Sequence, residues 1–233
     1  MKLSSLWAVK TVTEQALRQK VADTAQKAIG TIQGSVKHKD LIDIYNGHRP
    51  LPRGYKMSYT DPWCAATVSA VAIQCGLTDI IPVECSCGAM VKLYQQLGRW
   101  VEDDKYRPGV GDVLFYYWQD KANYASYDQT NSPNHVGIVV EVDGDAFTVV
   151  EGNRKISGVS QAAYRTMQVN GRYIRGYGIP DYASKAEQPS TNPWYEDAMN
   201  WAKDTGIMDG TRPTYSATRA ELAVALKRLY ELK

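Results

Sequence analysis

Hydrophobic positions recur at helical spacing through residues 12–33, where Val12, Ala16, Val21, Ala25, Ala28, Ile29 and Ile32 share a face and Gly34 can end the run. A shorter helix is predicted from Asp40 to Tyr45, stopped by Asn46-Gly47, and a turn-rich run from His48 to Gly54 follows it. His38 and His48 sit in polar loop or helix-end contexts and read as solvated surface histidines. Cys64, Val68, Val71 and Cys75 then fall at i, i+4, i+7 and i+11, the buried stripe of a helix closed by Gly76. Asp61 is the expected N-cap of that helix and Pro62 its first residue, where a missing N–H costs nothing. Ile80 to Val83 reads as a connector, and Cys85-Ser86-Cys87 leads into a helix from Gly88 to Leu97.

Beyond residue 107 the period changes. Arg107 to Asp112 is a tight turn feeding a strand, Val113 to Trp118, and a polar loop runs from Gln119 to Asn134. His135 to Val142 and Ala146 to Glu151 alternate on either side of Asp143-Gly144-Asp145 and predict a hairpin. With a three-residue turn at 143–145, His135 stands opposite Asn153 and Glu151 is its diagonal neighbour on the same face. A slip of one residue would send Glu151 to the other face, so the turn predicts that His135, Glu151 and Asn153 cluster. A further strand runs from Arg172 to Ile179. Residues 183–192 are polar and lack a core pattern, as a linker does. Two helices, Pro193 to Thr205 and Thr218 to Leu232, close the chain, the second with a Thr218-x-x-Glu221 capping box. The pattern as a whole is α+β, with N-terminal helices packed on an antiparallel sheet and a small helical segment at the C-terminus.

Composition narrows the functional classes. The 233 residues carry a net charge of +2, which suggests neither a nucleic-acid partner nor disorder. No apolar run is long enough to span a membrane, and the first ten residues are too short and too polar for a signal peptide. Four cysteines in a chain this long do not form a disulfide framework, so synthesis in a reducing cytosol is expected. Tyr 16 and Trp 6 against Phe 2 favours aromatics with a polar handle, suited to glycan or peptide grooves and to ordinary cores alike. No metal or cofactor is expected. Cys85 and Cys87 lack partners at zinc-ligand spacing, and Asp120, Asp128 and Asn131 match no calcium loop.

The candidate chemistry centres on Cys64. In the first turn of a helix it lies among N–H groups without intrahelical partners, whose partial positive charge favours the thiolate. A charged Asp61 nearby would oppose that, so a protonated histidine is needed to offset it. The competing reading is a buried structural thiol, which is the reading for Cys75 at the far end of the same stripe. His135 can take the thiol proton and later protonate a leaving amine, while Glu151 or Asn153 binds the far ring nitrogen. The Cys64 N–H is an oxyanion donor, and Tyr59 is a candidate for a second.

Asp61-Pro62-Trp63-Cys64-Ala65-Ala66, Gly111-Asp112-Val113, His135-Val136-Gly137-Ile138-Val139 and Glu151-Gly152-Asn153 together resemble a CHAP-type domain, related to NlpC-type and papain-like folds, over roughly residues 55–182. The resemblance implies a catalytic domain at 1–182, a linker at 183–192, and a cysteine amidase or endopeptidase acting on the peptide part of bacterial peptidoglycan. Its catalytic residues fall on Cys64, His135, Glu151 and Asn153. Residues 193–233 resemble one S-layer homology motif, which implies attachment to secondary cell-wall polymer with Trp194 and Arg219 as contacts. That family builds its site from three repeats, so a single motif implies either homo-oligomerisation or packing on the catalytic domain. A lytic enzyme without a leader resembles a phage endolysin, made in the host cytoplasm and acting on the wall after release. Two alternatives stay open: a non-catalytic wall-binding or virion module on a papain-like scaffold, and a protein-processing cysteine peptidase.

Overall fold

Thr13 caps the first helix by accepting from the Ala16 N–H, and α1 (Glu14–Gln26) buries Leu17, Val21, Ala22 and Ala25. The structure is a computed structural model describing residues 12–103, 105–118, 131–186, 196–208 and 218–231. The predicted helix over 12–33 is therefore cut short. Ala28 to Gly34 fold into turns, with Gly30 and Gly34 at positive φ, and Ile32 leaves the helical face to form a bridge with Gln161. Next, α2 (Val36–Gly47) is twice as long as expected, because Ser35 accepts from the His38 N–H and starts the helix a turn early. His38 is not a surface histidine. It is fully buried, accepts from the Gly34 N–H through Nδ1 and meets the Trp63 ring edge-on at 4.9 Å.

The central helix α3 (Cys64–Cys75) buries ten of its twelve residues, so it is enclosed on all sides rather than along one stripe. Ala65, Ala66, Ala70 and Ala72 make this geometrically feasible, since small side chains let neighbouring backbones approach. Leu41, Ile42 and Tyr45 of α2 pack with Ala66 and Ala70, whereas Val68, Val71 and Ala72 meet α1 and one face of the sheet. Gly76 ends α3 in the left-handed conformation. Ser86 caps α4 (Cys87–Gln96), which starts one residue earlier than predicted.

Six strands form one sheet: β1 (Trp100–Val101), β2 (Val113–Tyr116), β3 (His135–Asp143), β4 (Ala146–Ile156), β5 (Val159–Gln168) and β6 (Ile174–Gly178). Their spatial order is β1-β6-β2-β3-β4-β5 and every pairing is antiparallel. Val113, Phe115, Val136, Ile138 and Val150 turn toward the helices, and Leu114, Tyr116, Val139, Phe147, Val149 and Tyr177 form a second cluster. Asp112 anchors the turn into β2. Its buried carboxylate accepts from Arg18 of α1 (3.0 Å), the Tyr106 hydroxyl (2.6 Å) and the Gly109 N–H (2.8 Å).

The described residues divide into two units, and all of the above lies in Val12–Ala186. The second unit contains α5 (Glu196–Asp204) and α6 (Arg219–Glu231). Within it, the Thr218 hydroxyl accepts from the Glu221 N–H (3.2 Å) while Glu221 accepts from the Thr218 N–H (2.8 Å), a reciprocal capping box. Arg228 donates to the Gly206 and Ile207 carbonyls at 3.1 and 3.2 Å and so ties α6 to the end of α5.

Candidate active site

Cys64 is the first residue of α3, and Trp63, not Asp61, is its N-cap. Asp61 instead closes the preceding turn, where its carboxylate accepts from the Ser58 N–H (2.8 Å) and the Tyr55 hydroxyl (3.0 Å). Those donors hold its pKa below the usual range and occupy the charge that the sequence set against Cys64. The first-turn N–H groups still lack intrahelical acceptors, and that of Ala65 turns to the Cys64 sulfur. Cys64 is buried, with 5% of the residue exposed.

His135 opens β3, paired with Tyr116 of β2, and reaches the Cys64 thiol with one ring nitrogen. Its Nε2 lies 3.2 Å from Glu151 Oε2, an ion-pair approach whose angles do not make a directed hydrogen bond. The register that joins the two side chains arises differently from the expected three-residue turn. Asp143 pairs directly with Ala146, giving a two-residue turn, and a bulge between Val139 and Glu141 shifts the ladder by one. The two departures cancel. Ile138 meets Val150, the pairing that the longer turn would also have given, and Glu151 stays on the face of His135.

Gly152 lets this strand reach α3. A Cβ there would stand 1.9 Å from Thr67 Oγ1 and 3.0 Å from the Trp63 ring, so only glycine fits between β4 and the cysteine helix. A second bulge between Glu151 and Arg154 puts Asn153 at φ 56. Its Oδ1 accepts from Ser160 Oγ (2.6 Å), which in turn accepts from Trp63 Nε1 (3.1 Å). Glu151 therefore meets the ring of His135, while the amide of Asn153 is engaged with β5.

Two neighbours of this row were not anticipated. Arg165, on β5, donates through Nε to Glu151 Oε1 at 2.6 Å, and its guanidinium lies 4.7 Å from the Trp118 ring centre. Trp118 stacks on Tyr116 at 4.8 Å, and both rings border His135 at 5.8 and 5.5 Å. The second neighbour is Cys87, whose sulfur lies 3.7 Å from that of Cys64. Recognising residues 159–168 as a strand would have placed Arg165 diagonally across from Glu151. Nothing in the spacing of Cys87 signals its position.

Charge is concentrated in this buried row. Burial pushes Glu151 up, but His135 and Arg165 outweigh it and bring the carboxyl down to about 2. Burial also works against the imidazolium, yet Cys64 and Glu151 raise His135 to about 9. The thiol of Cys64 is shifted well downward, by the Cys87 thiol first and by His135 against the cost of burial. These shifts favour a thiolate beside an imidazolium and a carboxylate, with a guanidinium behind them. Such a row can deliver a nucleophilic sulfur and return a proton to a leaving group.

Tyr59 faces away from this row, since its hydroxyl donates to Asp43 of α2 at 2.9 Å. Trp194, Asp120 and Asp128 lie outside the described residues, whereas Arg219 is exposed as the first residue of α6. Among the described residues no group of three or more His, Cys, Asp or Glu side chains could hold a metal ion.

Residues 54–153 match the CHAP domain family. The matched stretch contains Cys64, His135, Glu151 and Asn153, and the α+β architecture with its six-stranded antiparallel sheet is consistent with that domain. No curated protein and no solved structure matches the chain.

Proposed function

From the CHAP match over residues 54–153 and the Cys64–His135–Glu151 row, we propose that the protein is a cysteine-dependent peptidoglycan hydrolase. The bond cut is an amide in the peptide part of the wall, either muramoyl–alanine or a peptide bond of the stem or cross-bridge. The observation that carries this reading is His135, whose Nε2 lies 3.2 Å from Glu151 Oε2 and whose ring interacts with the Cys64 thiol.

In this mechanism the Cys64 thiolate adds to the carbonyl carbon, and the C=O electron pair moves onto oxygen. The Cys64 N–H, at the first position of α3, stabilises that oxyanion. Collapse breaks the C–N bond as His135 gives its proton to the leaving amine, leaving a thioester on Cys64. His135, now neutral, takes a proton from water, whose oxygen attacks the thioester. The second collapse releases the carboxylic acid and restores the thiolate–imidazolium pair. Glu151 fixes the ring tautomer and stabilises the imidazolium, and Arg165 keeps Glu151 in place. Asn153 serves as a fastener of the β4 bulge through Ser160.

The purified protein should lower the turbidity of Gram-positive cell walls and release new amino groups, identified by mass spectrometry of the digest. Cys64→Ala should abolish both. Cleavage of a protein substrate with none of the walls would instead favour a processing peptidase. Wall binding without any new amine would favour a non-catalytic module.

For residues 193–233 we propose attachment to an anionic wall polymer, in line with their likeness to one S-layer homology motif. The exposed Arg219 at the start of α6 supports this, because its guanidinium and the helix N-terminus favour the same anion. Arg219→Ala should weaken sedimentation with walls, and walls stripped of secondary polymer should no longer distinguish the two proteins.

A further inference from the structure

Cys87 is a buried thiol for which the hydrolytic mechanism has no use, yet its sulfur sits 3.7 Å from the nucleophile's. Both cysteines are the first residues of their helices, α3 and α4, and they approach end to end. This meeting is held from behind. Buried Glu84 accepts from the Cys85 N–H (2.7 Å), the Ser86 N–H (3.0 Å) and Arg53 (2.7 Å), and its own N–H donates to Ser69 Oγ of α3 at 2.8 Å. The turn that carries Cys87 is thereby tied to the helix that carries Cys64.

The other two cysteines are engaged elsewhere. The sulfur of Cys75 contacts Thr24 Oγ1 at 3.4 Å, eleven residues along α3 and so about 16 Å from Cys64. The sulfur of Cys85 accepts from Arg53 at 3.5 Å. Cys64 and Cys87 are the two whose sulfurs touch, at 3.7 Å, and a disulfide needs them to close to about 2.0 Å.

We propose that Cys64 and Cys87 form an oxidation site, in which hydrogen peroxide or a comparable two-electron oxidant converts the pair to a disulfide that reversibly blocks the nucleophile. The Cys64 thiolate attacks one peroxide oxygen, the O–O bond breaks, and the departing hydroxide takes a proton from His135 to leave as water. Cys64 is then a sulfenic acid. The Cys87 sulfur loses its proton and attacks the Cys64 sulfur, the S–O bond breaks, and the departing hydroxide leaves as a second water with that proton. Two thiols and one peroxide give one disulfide and two waters. A thiolate beside a resolving thiol is the arrangement that diverts sulfenic acid from further oxidation. Cross-linking rests on the geometry alone, and its effect on hydrolysis rests on the function proposed above.

The full chain is treated with a small excess of hydrogen peroxide, and intact mass, disulfide map and wall hydrolysis are read in parallel. Cleavage before Asp61, Asp79 and Asp103 separates Cys64 and Cys75 from Cys85 and Cys87, so fragmentation of the joined peptides locates the bond. The expected result is a loss of two hydrogens, a Cys64–Cys87 link, and at least about a tenfold loss of hydrolysis that dithiothreitol restores. The same link should form in the Cys75→Ser/Cys85→Ser variant. In Cys87→Ala, peroxide should drive Cys64 to the sulfinic acid, with a loss that dithiothreitol does not restore relative to that variant's own reduced state. Absence of the link, a link to Cys75 or Cys85 instead, or a link with undiminished hydrolysis would overturn the proposal. If the reduced protein has no hydrolytic activity, the proposed function fails, and the disulfide map still decides whether the pair oxidises as inferred.

Discussion

Gly152 lies so near Thr67 that a methyl group on its Cα would stand 1.9 Å from Thr67 Oγ1 and 2.8 Å from Thr67 Cβ. Thr67 has little freedom to retreat, because it is buried in α3 and its hydroxyl donates to the Trp63 carbonyl at 2.9 Å. Gly152→Ala must therefore push β4 away from α3, and with it Glu151 from the helix of Cys64. The cost should be about 1–3 kcal/mol, as for other overpacked cores, read as a lower urea midpoint with an unchanged slope. Hydrolysis should fall further than stability does. Adding Thr67→Ala should restore only part of either, since the Cβ contact remains.

The ionisation of the row fixes two pH dependences. His135 is raised from an ordinary 6.5 to about 9, so the stability it contributes is complete below 6.5 and lost as pH rises through about 9. Glu151 is lowered from 4.5 to about 2, so its contribution is complete above 4.5 and lost as pH falls through about 2. Unfolding by urea should show the combined contribution intact near pH 5.5 and diminished near pH 9.5. The same titration of His135 should give kcat/KM an alkaline limb near pH 9, because the leaving amine then lacks its proton donor. Glu151→Gln should move that limb to lower pH by removing the charge that stabilises the imidazolium.

The turn before α4 depends on a second ion pair. Burial raises the pKa of Glu84, but Arg53, donating at 2.9 and 2.7 Å, brings it below the ordinary range. Arg53→Ala strands the carboxylate with only backbone donors. A half-exposed partner contributes less than a buried one, so the loss should be about 2 kcal/mol rather than the ~3–5 kcal/mol of a fully buried pair. The difference between wild type and variant should shrink as pH falls through the folded pKa of Glu84, which lies below the ordinary one, and urea unfolding at successively lower pH would reveal it.

Long periodic segments and turn residues made much of the scaffold legible. The Cys64 helix, the 135–151 hairpin and the Thr218–Glu221 cap are all readable from local pattern, because burial on one face or one capping hydroxyl leaves a mark in the sequence. Features that depend on distant partners left no such mark. His38 is polar by type and flanked by lysines, and its burial follows from Trp63 packing across it. The bulge at Val139–Glu141 has no residue signature, so the right pairing of His135 with the Glu151 face followed from a turn length that the chain does not use. Residues 159–168 carry no hydrophobic alternation, because only Ala162 is buried in that strand. Arg165 was lost with the strand that carries it.

That residue supports the most discriminating prediction about the row itself. Glu151 is fully buried, with His135 Nε2 3.2 Å from its Oε2 and Arg165 donating to its Oε1. Arg165→Met keeps an unbranched apolar stem but removes the charge, the Nε donor and the guanidinium that lies over Trp118. A hydrogen bond to a charged group contributes about 1.5–3 kcal/mol, so kcat/KM should fall by roughly 10- to 100-fold if that energy is used to position Glu151. A purely structural role would lower stability and leave the pH profile where it was. A positioning role does more: burial is no longer offset by the guanidinium, the Glu151 pKa rises, and the acid limb of kcat/KM moves to higher pH. Arg165→Lys, which restores the charge without the planar donor, should recover the acid limb more fully than the rate.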